Sequence, residues 1–257
     1  MKLEDKTALI TGASSGIGEA IAYSFAQEGA SLILVARRMN RVSELAKKLK
    51  EKYNTKSVCL QIDVRNYAEI AAVLNALDDE WKQIDILVNN AGKALGLDKI
   101  YEGLLDDWEE MIDTNVKGLL YFSRLIIPDM VKRNTGHVVN IGSIAGVDLY
   151  PKGNVYCGSK HFVHAVSKGM IIDLNGTNVR VTNIAPGLVE TEFAEVRFHG
   201  DKSMAQTVYQ GYKPLEADDI ADIVTFCVTR KPHVLIQDVL VTPINQATAS
   251  IVHKELQ

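Results

Sequence analysis

Cysteine, proline and tryptophan are scarce in this chain, and no apolar run is long. Its three cysteines, Cys59, Cys157 and Cys227, lie far apart without Cys-x-x-Cys spacing. Neither a disulfide framework nor a zinc site is indicated, and the thiols read as reduced packing residues. Six prolines are scattered and no Gly/Ser/Pro-rich linker interrupts the chain, so residues 1–257 are expected to form a single domain. The longest apolar stretch, "GLLYFSRLIIP", is too short and too polar to span a bilayer. The start, "MKLEDKTALITGA", carries acidic residues and lacks a secretory core; a cytoplasmic chain with no membrane partner is expected. Charge excess is also missing. A net charge of −4 gives no general attraction to nucleic acid, although local basic spots could hold a phosphate.

What is present is rhythm. In 257 residues, 47% of them hydrophobic, seven short runs rich in Val, Ile and Leu read as strands: "KTALITG", "SLILVA", "SVCLQID", "IDILVNNAG", "GHVVNIGS", "VRVTNIAPG" and "HVLIQDVLV". Between them lie amphipathic patterns such as "GEAIAYSFAQEGA", "RVSELAKKLKEKY" and "YAEIAAVLNALDDEW". This alternation predicts an α/β fold, a doubly wound Rossmann-type parallel sheet of about seven strands with helices on both faces. The segment at about 188–216 breaks the rhythm between the sixth and seventh strands, and such insertions cover sites. It is expected to be a substrate lid.

The first strand runs into "TGASSGIGEA", which places Gly12, Ser14, Ser15, Gly16, Ile17 and Gly18 at a strand-to-helix turn. Glycines there let the backbone approach a pyrophosphate, and a helix start supplies unpaired N–H groups. The second strand ends in Ala36, Arg37 and Arg38, where dinucleotide-binding folds carry an acidic residue for the ribose 2′-hydroxyl. Guanidinium groups at that place bind a 2′-phosphate, so NADP(H) is preferred over NAD(H).

Two Tyr-x-x-x-Lys pairs occur, Tyr156/Lys160 and Tyr209/Lys213. With 9 tyrosines in the chain, one such pair is close to what chance supplies. Context separates them. Tyr156 follows Ser143 by 13 residues and opens a helix after the fifth strand; Tyr209 lies in the irregular segment without a serine partner. A phenol near pKa 10 is a poor base, and a lysine charge about 4 Å away favours phenolate by roughly three pK units, desolvation aside.

"TGASSGIG", Asp63-Val64, "NNAG" ending in Asn90, Ala91 and Gly92, Asn115 in "DTNVKG", Ser143, "YCGSK", and Pro186-Gly187 followed by Val189 and Thr191 together resemble the short-chain dehydrogenase/reductase family over essentially the whole chain. The resemblance implies hydride transfer with Asn115, Ser143, Tyr156 and Lys160 as catalytic residues. It implies that Asp63 and Val64 face the adenine, Asn90 the adjacent ribose, and the 186–191 turn the carboxamide and pyrophosphate. Lys160 would also hold the nicotinamide ribose, and Asn115 a water-mediated proton path. "DEWKQIDILVNNAGKALGLD", "GNVYCGSK", "GLVETEF" and "VRFHGDK" are similar to the serine 3-dehydrogenase/3-hydroxy acid dehydrogenase branch, which implies a small hydroxy acid or aldehyde substrate and a homotetramer. Lys93 and Ala185 depart from that branch. Another carbonyl or 3-ketoacyl reductase and a non-catalytic dinucleotide sensor stay open as alternatives. A substrate carboxylate needs a cation, for which Arg197 is the first candidate and Lys93 the rival. Acidic residues from 102 to 113 read as a solvated helix face, and no metal site is expected.

Overall fold

A computed structural model describes residues 1–255; residues 256–257 of the expected domain lie outside the described residues. Seven strands are present: β1 (Thr7–Thr11), β2 (Ser31–Ala36), β3 (Ser57–Gln61), β4 (Ile86–Asn89), β5 (Gly136–Ile141), β6 (Val179–Pro186) and β7 (Asp238–Val241). They form one sheet in the order β3-β2-β1-β4-β5-β6-β7, every neighbouring pair parallel. The connecting helices are α1 (Gly16–Gln27), α2 (Met39–Tyr53), α3 (Tyr67–Asn75), α4 (Asp79–Lys82), α5 (Leu105–Ile112), α6 (Leu119–Arg133), α7 (Asn154–Asp173), α8 (Phe193–Arg197), α9 (Lys202–Val208) and α10 (Ala217–Val228). Among the described residues, no helix is long and apolar enough to cross a membrane.

The period-2 alternation of strand side chains divides the core in two. Ala8 and Ile10 of β1 join Leu32 and Leu34 of β2 against Ile21 and Phe25 of α1 and Val224 of α10. Leu9, Ile33 and Val35 face the other way, onto Ile70 of α3 and Phe122 and Ile126 of α6. Strands covered on both faces read as unbroken apolar runs, and those are the runs seen in the sequence. β7, at the edge, keeps only Asp238–Val241 of the predicted "HVLIQDVLV", and alternate residues there are exposed. The helix expected over "YAEIAAVLNALDDEW" is two helices. It starts at a cap in which Asn66 Oδ1 accepts from Glu69 N, and it breaks because Leu77, after Ala76, turns into the core.

The strand order reverses between β1 and β4. Their carboxyl ends open a crevice at that switch point, where such sheets take ligands.

Candidate active site

The crevice is a cleft of about 590 Å³ lined from the β1–α1 turn to the segment after β6, within the size range of small-molecule and cofactor sites. Gly12 and Gly16 hold φ of +67° and +56°, a region that side chains avoid. Gly18 does not line the cleft; a Cβ there would lie 2.5 Å from both Asn90 Nδ2 and Gly12 O. Asn90 was expected beside a ribose, yet its amide braces the glycine turn, donating to Thr11 O at 2.9 Å and Gly12 O at 3.2 Å. The first turn of α1 has no side-chain cap from Ser15, so its leading N–H groups remain for an anion.

Arg38 lies across this turn: Nη2 donates to Ser14 Oγ at 3.0 Å and Ser15 Oγ at 2.7 Å. Arg37 is half exposed, its Nη1 3.8 Å from Glu110 Oε1. No carboxylate comes from the end of β2, which is Ala36. Asp63 is occupied, since Arg65 donates to it through Nε and Nη2 and holds its carboxyl below the usual range against the effect of burial. Two cations, two hydroxyls and a free helix start fit a dinucleotide carrying a 2′-phosphate.

At the other end, Tyr156, on the first turn of α7, is buried. Burial raises its pKa, opposed by the Ser143 hydroxyl and the Arg197 guanidinium. The effect expected of Lys160 left desolvation aside, and for this buried phenol desolvation is the larger influence. Lys160 Nζ, 6.0 Å from the Tyr156 ring centroid, donates to Ile141 O at 2.8 Å, and burial pushes it down to about 8. Ser143 accepts from Ala145 N at 3.1 Å, leaving its O–H to be given away. Asn115 sits in a π-helical stretch, Asp113–Gly118, and does not line the cleft. Its Nδ2 donates to Lys93 O and Ser159 Oγ, and its Oδ1 accepts from Lys93 N, so the side chain braces the loop after β4.

The lid segment is closed at its base by a bridge between Val189 and Leu215 and is less irregular than expected, carrying α8 and α9. It brings Phe193 edge-on to Tyr156, with ring centroids 5.7 Å apart, and places the Arg197 guanidinium 5.6 Å from the centre of the Tyr156 ring. Arg197 donates to the Tyr150 hydroxyl at 2.6 Å and to Gly96 O at 3.2 Å, and pairs with no carboxylate among the described residues. Lys93 differs: its ammonium bonds Glu110. The second Tyr-x-x-x-Lys pair separates, with the Tyr209 hydroxyl donating to Val189 O at 2.9 Å while Lys213 is exposed and pairs with Glu216.

Two features escaped sequence reading. The 102–113 acids are not a plain solvated face: Asp107 is buried and accepts from His199 of the lid at 3.2 Å, and Glu110 collects Lys93, Arg65 and Arg37. Glu192, at the entry to α8, pairs with Arg38 and Arg41. The partners lie tens to more than a hundred residues apart, so no local signal announced them.

The sequence pattern described as short chain dehydrogenase matches residues 6–202. The NADP-dependent 3-hydroxy acid dehydrogenase of Schizosaccharomyces pombe is 42% identical over 255 residues, covering 99% of this chain and 98% of that protein. The NADP-dependent 3-hydroxy acid dehydrogenase YdfG of Escherichia coli K12 is 45% identical over 249 residues, 96% of this chain and 99% of that one. The solved closed form of serine dehydrogenase complexed with NADP+ superposes with a TM-score of 0.90 at 45% identity, covering 97% of this chain and all of that one. The matched pattern spans most of the chain, from the glycine turn past the Tyr156/Lys160 helix, and the chain belongs to the short-chain dehydrogenase family.

Proposed function

We propose that this protein is an NADP(H)-dependent oxidoreductase that moves a hydride between nicotinamide and the carbinol carbon of a small 3-hydroxy acid, of the serine, allo-threonine, 3-hydroxypropionate or 3-hydroxyisobutyrate type, or reduces the matching semialdehyde. Relatives named for 3-hydroxy acids and NADP support the class. The observation that carries the acid is Arg197, a guanidinium over Tyr156 that no carboxylate neutralises among the described residues.

When bound, the nicotinamide accepts or supplies the hydride. Tyr156 exchanges the proton of the reacting oxygen, and Ser143 donates its O–H to that oxygen. Lys160, held by Ile141 O, keeps a positive charge beside the phenol and reaches the ribose. Phe193 and Phe198 flank Arg197 and exclude water as the lid closes. Arg37 and Arg38 receive the 2′-phosphate, with Ser14 adding a hydroxyl. Exposed Leu105, Ile112 and Ile172 on α5 and α7 suit the helix packing of a homotetramer.

The test is Arg197→Met, which keeps an apolar stem and removes the charge. For 3-hydroxy acids kcat/KM is expected to fall roughly ten- to a hundredfold, as for one charged hydrogen bond of about 1.5–3 kcal/mol, with a clearly smaller loss on a neutral alcohol, which feels only the guanidinium's effect on Tyr156. Equal losses on both would make Arg197 a lid strut and favour the second reading, a reductase of uncharged ketones, which the apolar Phe193, Val196 and Phe198 lining the cleft would serve. Selective loss with Lys93→Met instead would move the anchor to Lys93, despite its bond to Glu110.

A further inference from the structure

One buried polar side chain in the cleft wall belongs to no motif and to no step of the proposed reaction. It is Gln246, 4% exposed, in the segment after β7. Pro243 starts a turn there, its carbonyl accepting from Gln246 N at 2.9 Å, and Gln246 bridges Val252 in antiparallel fashion. The side chain of this short hairpin reaches the end of β6: Oε1 accepts from Leu188 N at 2.8 Å, and Nε2 donates to Thr248 O at 3.2 Å. So close an approach needs glycine at 187, because a Cβ there would collide with Gln246 Oε1.

The turn that Gln246 grips is held on its other sides too. Gly187 N donates to Val241 O at 2.6 Å, Leu188 O accepts from Leu215 N at 3.0 Å, and Val189 O accepts from the Tyr209 hydroxyl. It starts two residues beyond Ile184, whose carbonyl accepts from Gly142 N at 2.7 Å, beside Ser143. Pro186, Gly187, Leu188 and Val189 all line the cleft. The same hairpin braces two more parts of the site. Ala249 N donates to Asp148 Oδ2 at 2.9 Å, on the loop that follows Ser143, and Glu255 N donates to Gly211 O at 2.7 Å, in the lid segment.

We propose that Gln246 is a positioning residue for hydride transfer: by holding Leu188 N it fixes the 187–189 turn against the nicotinamide end of the cofactor, and so sets where the nicotinamide stands relative to Ser143 and Tyr156. This rests on the reading that NADP(H) lies in the cleft with its nicotinamide beside that turn. Both the oxygen and the nitrogen of the Gln246 amide are engaged by backbone, so it acts through the turn and not on the reacting atoms. The effect on rate is large for so remote a group because transfer depends steeply on alignment, a misplacement of about 1 Å costing up to roughly a hundredfold.

Gln246→Met keeps the length of the side chain and removes the acceptor. Calorimetric titration with NADPH and with 2′,5′-ADP, which lacks the nicotinamide half, is expected to show NADPH binding the variant roughly two- to tenfold more weakly, the range of one neutral hydrogen bond. Affinity for 2′,5′-ADP should not move. Single-turnover hydride transfer from saturating NADPH should slow by up to about a hundredfold. Deuterium exchange should quicken in a peptide covering Leu188 and stay unchanged in one covering the β1–α1 turn. Equal weakening of both ligands would overturn the proposal, since Gln246 would then support the whole cleft. A lower Tm with NADPH affinity and transfer rate unchanged would overturn it as well, leaving Gln246 a purely structural link. If wild type binds neither NADPH nor 2′,5′-ADP, the cofactor reading itself fails and the proposal falls with it.

Discussion

Tyr156→Phe is expected to lower kcat by roughly a hundred- to ten-thousandfold, the span of a lost general acid–base group. NADPH affinity should stay close to wild type. The substitution removes one oxygen and no ring surface, so the Phe193 edge contact and the buried position of the side chain survive. A loss in kcat with little change in cofactor Kd is the signature of a group that acts in the transition state. Tyr209→Phe is the internal control. It gives up one hydrogen bond to Val189 O, worth about 1 kcal/mol, at the base of the lid; its Lys213 is exposed and far from any reacting group. A few-fold effect is expected. Comparable losses at both tyrosines, in steady-state assays with matched cofactor titrations, would show that the wrong pair had been assigned to the chemistry.

Why one pair could be chosen from sequence explains what else could be. β1, β2, β4 and β5 are buried on both faces, which forces continuous apolar runs, and a strand-to-helix turn around a phosphate forces glycine. Such constraints are local, so they print themselves in order along the chain. The Tyr156/Lys160 helix belongs to this class, since one turn of helix fixes the spacing. Pairing between distant elements leaves no such print. The Glu192–Arg38–Arg41 cluster joins the start of α8 to the end of β2, and Glu110 gathers cations from three loops. Each acid looks like surface until the fold delivers a partner. The 102–113 acids misled for that reason: α5 is amphipathic, but the face turned to the cleft and lid carries Asp107 and Glu110.

The same locality explains why desolvation had to be left aside for Tyr156. Spacing put a lysine beside a tyrosine and gave the effect of its charge, whereas the depth of both groups depends on the loops that cover them. In the folded chain each is buried, Tyr156 rises and Lys160 falls. The positive charge that favours phenolate is itself costly to keep. Arg197, which opposes the rise of Tyr156, shares the task from the lid. A substrate carboxylate on Arg197 would remove part of that help, so proton exchange and substrate anchoring draw on one cation.

Lys160→Met should therefore damage catalysis and stabilise the cofactor-free protein at neutral pH. The lysine falls from 10.5 to about 8 by burial, equivalent to a folded-state penalty of about 3 kcal/mol at pH 7. Methionine, of similar length, carries no such penalty. It does lose the bond to Ile141 O, leaving a buried carbonyl short of a partner at a cost of about 1–3 kcal/mol. The balance expected at pH 7 is a gain of up to about 2 kcal/mol, or up to roughly 8 °C in Tm, while kcat falls by at least about a hundredfold. The sign with pH is fixed by the depressed folded pKa. Between about 8 and 10.5 the unfolded lysine holds a proton that the folded one has released, so wild-type stability rises with pH across that window relative to the variant. Above it, lysine is neutral in both states, the penalty is gone, and only the lost hydrogen bond remains. The two denaturation curves, measured in guanidinium at pH 7 and pH 10.5, must cross, with the variant more stable at the lower pH and less stable at the higher. A variant destabilised equally at both would mean that Lys160 is not penalised by burial and serves as an ordinary structural donor.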